Sequence, residues 1–266
     1  MSTSSIGERA AELLHRLEGE AHLWLMGLDN WRPALAEPLL NDEESLRARK
    51  LRHPDAQKNF MAGRALIRST LSRYADVEPA SWTFRSTRLG RPEIATPQSR
   101  LRFNLAHTPG LAACVVTSDA ACGVDVEWLE RPLRPLRIAK HSFAPQEFKD
   151  LATRQGAELR GRFFDYWTLK EAYYKARGSG IPFRLTGARF SLEGEAGIRF
   201  EPASSEKTHA REWQFGLWRP LASHVLAVAV QTGGASHLDV RCFRSAESEV
   251  EEVQLVCDRS TERAGR

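Results

Sequence analysis

Two short stretches place acidic residues at spacings that could do chemistry. In Gly123-Val124-Asp125-Val126-Glu127, small apolar and acidic residues alternate. Successive side chains on a strand point to opposite faces. Asp125 and Glu127 are therefore expected on one face, with Val124 and Val126 pointing into a core. Two carboxylates about 6–7 Å apart on one face repel each other unless a cation stands between them. The pair reads either as a divalent-metal site, with hard oxygen ligands suited to Mg2+, or as the solvated acidic face of an edge strand. In Trp167-Thr168-Leu169-Lys170-Glu171-Ala172-Tyr173-Tyr174-Lys175, residues Trp167, Glu171 and Lys175 share one helical face. Phe163, Phe164, Tyr166, Trp167, Tyr173 and Tyr174 make this segment aromatic nearly all round, which predicts a buried helix. Charges buried there need partners, such as a metal for Glu171 and a phosphate for Lys175. The plain alternative is a Glu171–Lys175 surface pair worth roughly 0.2–0.5 kcal/mol.

Two further groups suit anions. In Phe103-Asn104-Leu105-Ala106-His107-Thr108, His107 is expected in a loop after a strand. There its ring N–H could hold an anion or simply face solvent. A basic series runs through Arg47, Arg49, Lys50 and Arg52, then Arg64 and Arg68, then Arg91 after Gly90. It reads as a compact phosphate pocket or as a solvated helix face. No recognisable nucleic-acid module or interleaved exposed aromatics accompany it.

These residues need elements to position them. Residues 7–19 read as a polar helix and His22–Leu28 as a first strand. Asp42–Ser45 can start a helix, and Asp55–Tyr74 repeats Phe60, Leu66, Ile67 and Leu71 on one helical face. Trp82–Phe84 suits a short strand and Leu89–Pro92 a turn. Leu101–Leu105 and Ala112–Thr117 read as strands joined by the loop Ala106–Gly110, and Gly123–Trp128 as a third. Helices are expected over Glu147–Thr153 and Gly161–Arg177, the second stopped by Gly178. Ala188–Leu192, Ile198–Phe200, Glu212–Trp218 and His224–Val230 suit an antiparallel region. The last thirty or so residues hold one candidate strand, Leu238–Phe243, and an otherwise loose charged tail. The order of elements recurs, which divides the chain into residues 1–120, 121–233 and an extension, 234–266.

Composition excludes several classes. The chain has 266 residues, 42% of them hydrophobic and 27% charged, close to the globular average. No apolar run approaches the ~20 residues of a membrane helix, and the first ten residues lack an apolar secretion segment. A soluble, cytoplasmic protein is expected. Net charge is +4, and 31 of the 38 basic residues are Arg. That excess suits phosphate-rich or acidic partners. Cys114, Cys122, Cys242 and Cys257 form no C-x-x-C, which argues against zinc and a disulfide framework.

Taken in order, the motifs resemble the 4'-phosphopantetheinyl transferase superfamily, in its larger surfactin-synthetase-activating (Sfp-like) type. That family carries F-N-x-S-H-S, then G-[IV]-D-[IV]-E, then W-x-x-K-E-A-x-x-K. These match Phe103–Thr108, Gly123–Glu127 and Trp167–Lys175. Gly90-Arg91-Pro92 resembles the family's G-[KR]-P turn and Ala62–Arg68 its preceding helical segment; the likeness spans roughly residues 20–230. Two positions depart: Ala106 stands where the family has Ser, which removes one hydroxyl from the coenzyme A motif, and Thr108 where it has Ser or Thr.

The resemblance implies an α+β fold of two similar lobes related by a pseudo-two-fold axis. Each lobe would be a small, mainly antiparallel sheet packed on a long helix, with coenzyme A in the cleft between. It implies transfer of the 4'-phosphopantetheine arm of coenzyme A, the co-substrate, to a serine of an acyl or peptidyl carrier protein. Adenosine 3',5'-bisphosphate would be released. Asp125, Glu127 and Glu171 would be ligands of Mg2+, with Mn2+ as a substitute. Glu171 is the first candidate for the base and Glu127 the second, and Lys175 would contact the pyrophosphate. His107 and Arg91 would hold coenzyme A phosphates; Arg47, Lys50 and Arg64 are candidates for the 3'-phosphate, and Lys170 for orienting the helix or the substrate. Fatty-acid, polyketide and peptide-synthetase carriers are all compatible partners, and a monomer is expected, with neither nucleic acid nor membrane as a partner. The rival readings are a Mg2+-dependent phosphotransferase or hydrolase acting on another nucleotide, a basic nucleic-acid-binding protein, and a non-catalytic coenzyme A binder of the same fold.

Overall fold

Helix α1 (Ile6–Arg16) leads into strand β1 (Glu20–Gly27), whose apolar run is buried except at its ends. The computed structural model describes residues 6–182, 184–192, 194, 196–234, 237–246 and 249–261. Helix α2 (Asp42–Lys50) starts at Asn41, where a reciprocal capping box with Glu44 satisfies the first backbone donors. Helix α3 (Pro54–Leu71) then lays Leu66, Ile67 and Leu71 into an apolar cluster. The hairpin β2 (Thr83–Ser86) and β3 (Pro92–Thr96) follows, then β4 (Leu101–Thr108) and β5 (Leu111–Ser118).

The second half repeats this order. Strand β6 (Cys122–Trp128) precedes two short helices, α4 (Pro135–Ser142) and α5 (Pro145–Ala152), and the long α6 (Gly156–Arg177). Gly178 ends α6 in the left-handed conformation, φ +64°, where a side chain would be strained. A hairpin of β7 (Ala188–Ser191) and β8 (Arg199–Pro202) comes next, then β9 (Trp213–Trp218) and β10 (His224–Gln231). Strands β11 (Asp239–Ala246), β12 (Glu249–Val253) and β13 (Cys257–Ser260) close the described chain.

The chain divides into two units, Met1–Asp119 with Leu238–Gln254 and Ala120–His237 with Leu255–Arg266. In the first, the sheet order is β12-β11-β1-β5-β4, antiparallel except for the β1–β11 pair. Its core joins Leu66, Ile67 and Leu71 of α3 to Trp24, Met26, Phe103, Cys114 and Val116 of the sheet. In the second, the order is β13-β9-β10-β6, all antiparallel, and α6 packs on it through Phe164, Leu169 and Tyr173. Each unit is thus a mainly antiparallel sheet on a long helix. Among the described residues no helix is long and apolar enough to cross a membrane.

Two expectations are corrected. The described residues of 234–266 are not a loose tail. β11 adds to the open edge of β1 and carries β12, while β13 adds to β9, so that each edge strand gains a hydrogen-bonded neighbour. Residues 235, 236, 247, 248 and 262–266 of that segment lie outside the described ones. The loop Ala106–Gly110 is shorter than expected: β4 runs on to Thr108, so His107 sits on a strand opposite Ala112. As expected, Val124 and Val126 are buried on one face of β6 and Asp125 and Glu127 share the other; that other face, with Gly123, is the one packed against α6.

Candidate active site

Register sets the site. On β6, Gly123, Asp125 and Glu127 stand opposite Ala229, Ala227 and Val225 of β10, and directly opposed residues share a face. Those three β10 residues belong to the apolar cluster built on α6. The helix comes so close that a Cβ placed on Gly123 would lie 2.1 Å from the Ala172 carbonyl oxygen and 2.5 Å from Ala176 N. Only glycine fits beneath it. Ala172 and Ala176 form the small-residue contact, and Glu171 and Lys175 flank it one residue earlier on each turn.

The flanking side chains meet the acids of β6. Lys175 Nζ donates to Asp125 Oδ1 at 2.5 Å. Asp125 Oδ2 is buried and has no hydrogen-bond partner. Arg131 Nη1 donates to both oxygens of Glu127, at 3.0 and 3.2 Å. Burial, then Asp125 and Glu127, pushes the Glu171 carboxyl up to about 7 against the pull of Lys175. Burial and Asp125 also raise Glu127, with Arg131 opposing. Burial alone would lower Lys175, yet Asp125, Glu171 and Glu127 hold it above its ordinary value. The acids therefore lie close enough to feel one another, in a setting that penalises their charge.

That donor set suits a hard divalent cation: three carboxylates, one with an unsatisfied buried oxygen. Among the described residues, however, no three His, Cys, Asp or Glu side chains are arrayed as a finished metal-binding group. Asp125 and Glu127 are instead turned toward Lys175 and Arg131.

Lys170 plays a different part from Lys175. It is fully buried, and its Nζ donates to Glu147 Oε2 at 2.8 Å, to Leu185 O at 2.9 Å and to Ala188 O. Glu147, also buried, accepts from Ala144 N and Phe190 N, each at 2.8 Å. The pair ties α5, α6 and β7 together. Burial pulls the Lys170 ammonium below its ordinary value while Glu147 resists.

The remaining candidates lie in the first unit. Arg91 is half-buried in the β2–β3 turn after Gly90, which takes a positive φ of 83°. His107 is exposed on β4, and Arg47 and Lys50 are exposed on α2. Arg47 lies over Phe60 at 5.2 Å. Arg64 stands 3.5 Å from Glu44 and lies over Phe60 and Phe84, at 5.4 and 5.9 Å. Arg68 is wholly buried, bonded to Glu44 at 2.8 Å and to Pro79 O at 2.7 Å. The basic series is therefore no single solvated face. Two participants escaped the sequence reading. Glu147 had a signal, since an acid three residues into a Pro-started helix marks an N-terminal cap. Arg131 had none, because its reach back to Glu127 depends on the turn after β6.

Comparison with known proteins identifies the family. A family model described as "4'-phosphopantetheinyl transferase superfamily" matches residues 121–229, the stretch that holds the acids and Lys175. The chain is similar to the 4'-phosphopantetheinyl transferase HetI of Nostoc sp., 38% identical over 170 residues, 62% of this chain and 71% of that protein. It is similar to a phosphopantetheinyl transferase of Thraustochytrium sp., 33% identical over 227 residues, covering 78% and 77% of the two chains. It also matches the 4'-phosphopantetheinyl transferase Sfp of Bacillus subtilis, 26% identical over 62% of this chain and 73% of that one. With the family model falling on the very residues that α6 and β6 bring together, the chain belongs to the 4'-phosphopantetheinyl transferase superfamily, among its Sfp-type enzymes.

Proposed function

We propose that the protein moves the 4'-phosphopantetheine arm of coenzyme A onto a serine hydroxyl of an acyl or peptidyl carrier protein, in a Mg2+-dependent reaction. The observation that carries this reading is the meeting of Asp125 and Glu127 from β6 with Glu171 and Lys175 from α6, with Asp125 Oδ2 left unsatisfied. Asp125, Glu127 and Glu171 would hold the cation. When bound, that ion supplies positive charge to the diphosphate of coenzyme A.

The chain's own groups account for the rest. The serine oxygen forms a new bond to the phosphorus that carries the pantetheine arm. The bond to the bridging oxygen breaks, and that oxygen leaves with adenosine 3',5'-bisphosphate. The serine proton must go to a base within reach, and Glu171, whose carboxyl is pushed up to about 7 by burial and the neighbouring acids, is the first candidate. Glu127 is the second candidate. Lys175 is placed to pass its ammonium from Asp125 to a phosphate oxygen as a point charge. His107 and Arg91 are assigned to coenzyme A phosphates, and the exposed Arg47 and Lys50 to the 3'-phosphate. Arg64, held by Glu44, keeps a structural share.

The test is mass spectrometry of an apo carrier protein incubated with this protein, coenzyme A and Mg2+. A gain of the phosphopantetheine mass, lost on adding a chelator, is the expected result. No gain with acyl and peptidyl carriers alike overturns the reading.

A further inference from the structure

Arg131 stands just past the end of β6 and turns its guanidinium back onto Glu127. One N–H group covers both carboxylate oxygens, at 3.0 and 3.2 Å. The backbone beneath it is firmly held. Leu129 N donates to Ser223 O at 2.8 Å and Arg131 N to Trp128 O at 3.1 Å. Arg160 also donates to the carbonyls of Leu129 and Arg131. The side chain is less confined: 52% of it is exposed, against 12% for Glu127. A fixed root and a solvated tip make a contact that can open without disturbing β6.

Charge gives the contact its meaning. Asp125, Glu127 and Glu171 gather three carboxyl groups, and Lys175 and Arg131 bring two cations against them. The guanidinium and a cation compete for the charge and the lone pairs of one carboxylate. Any free energy spent in moving the guanidinium aside is subtracted from cation binding.

We propose that Arg131 is an exchangeable counter-ion of Glu127: it occupies the carboxylate while no divalent cation is bound, yields it when one arrives, and so sets how tightly the site takes the cation. This positioning role rests on the metal-site reading above. It predicts the opposite of a structural prop, whose loss would loosen the acids and weaken binding.

The test is titration of the full chain with Mn2+ alone, followed by the electron-spin signal of the free ion. Arg131→Ala should tighten Mn2+ binding about 3- to 10-fold, with Arg131→Lys in between. Arg134→Ala removes an equal charge from an exposed residue nearby and should change binding by less than about 1.5-fold. The proposal is overturned if Arg131→Ala leaves Mn2+ binding unchanged or weaker, if neither protein binds the ion, or if Arg134→Ala tightens it equally. Asp125→Asn judges the underlying site separately. If it loses Mn2+ while Arg131→Ala changes nothing, only the role of Arg131 falls; if it binds like the wild type, the metal site itself falls.

Discussion

The two units thread one order of elements: a strand, a long helix, a small hairpin, then two antiparallel strands. They differ in what the first strand shows its helix. β1 presents Trp24 and Met26, which fill an apolar cluster under α3. β6 presents Asp125 and Glu127 under α6. The polar groups beside the first strand of each unit are also treated differently. In the first unit, Trp24 Nε1 donates to the Tyr74 hydroxyl at 2.8 Å, and His22 bonds Tyr74 at 2.7 Å and Glu20 at 2.8 Å. In the second, a buried carboxylate oxygen has no partner and neighbouring acids repel. The frame therefore closes without acids, and in β6 they stand against stability. Such an arrangement persists where chemistry needs it.

The comparison is broken most directly at the acids. Asp125→Ala and Glu171→Gln should each slow carrier modification by at least about 100-fold while leaving the melting temperature equal or higher. Near-normal turnover in either variant removes that residue from the site. The two lysines of α6 should separate next. Lys170→Ala leaves Glu147 buried without its cation and should lower unfolding free energy by about 3–5 kcal/mol in denaturant titration. Lys175→Ala should instead lower kcat/KM for coenzyme A by more than its loss of stability accounts for; an unchanged value means that it touches no phosphate. In the first unit, Met26→Ala should cost about 2–5 kcal/mol, with kcat unchanged in the folded fraction. A large fall in kcat there would end the division between a packing unit and a chemical one.

Gly123→Ala tests the close approach of α6. The added methyl meets helix backbone and should cost about 1–3 kcal/mol while displacing Glu171 and Lys175. Carrier modification should fall further than the melting temperature alone accounts for. The smallest effect belongs to His22. Burial lowers its pKa, and Glu20 only partly offsets this. The unfolded chain thus takes up a proton as pH falls through about 6.5 while the folded chain does not, so stability drops on that acid side. The melting temperature of the wild type should fall more steeply from pH 8 to 5.5 than that of His22→Gln, and parallel curves would exclude this contribution.

Much of this was legible along the chain, for identifiable reasons. The helical recurrence of Phe60, Leu66, Ile67 and Leu71 announces α3, and the alternation in Gly123–Glu127 announces β6 with both acids on one face. The aromatic density around Lys170, Glu171 and Lys175 announces a buried helix with charges in need of partners. That the acidic face of β6 is the one packed against α6 was not legible, because valine is at home on either side of a sheet buried on both. The charged tail looked loose because edge strands such as β12 and β13 alternate weakly and gain their stability from a neighbour far away in the chain.

By itself the sequence determined the residue types, their local periodicity and the motifs that mark the family, since these depend on contacts between near neighbours in the chain. Only the tertiary structure decided that Lys170 and Lys175 part company, one into the core with Glu147 and the other onto Asp125, and that Arg131 covers Glu127. Such pairings depend on which backbones pack side by side. The approach of α6 to Gly123 sets them, and no spacing along the chain encodes that approach.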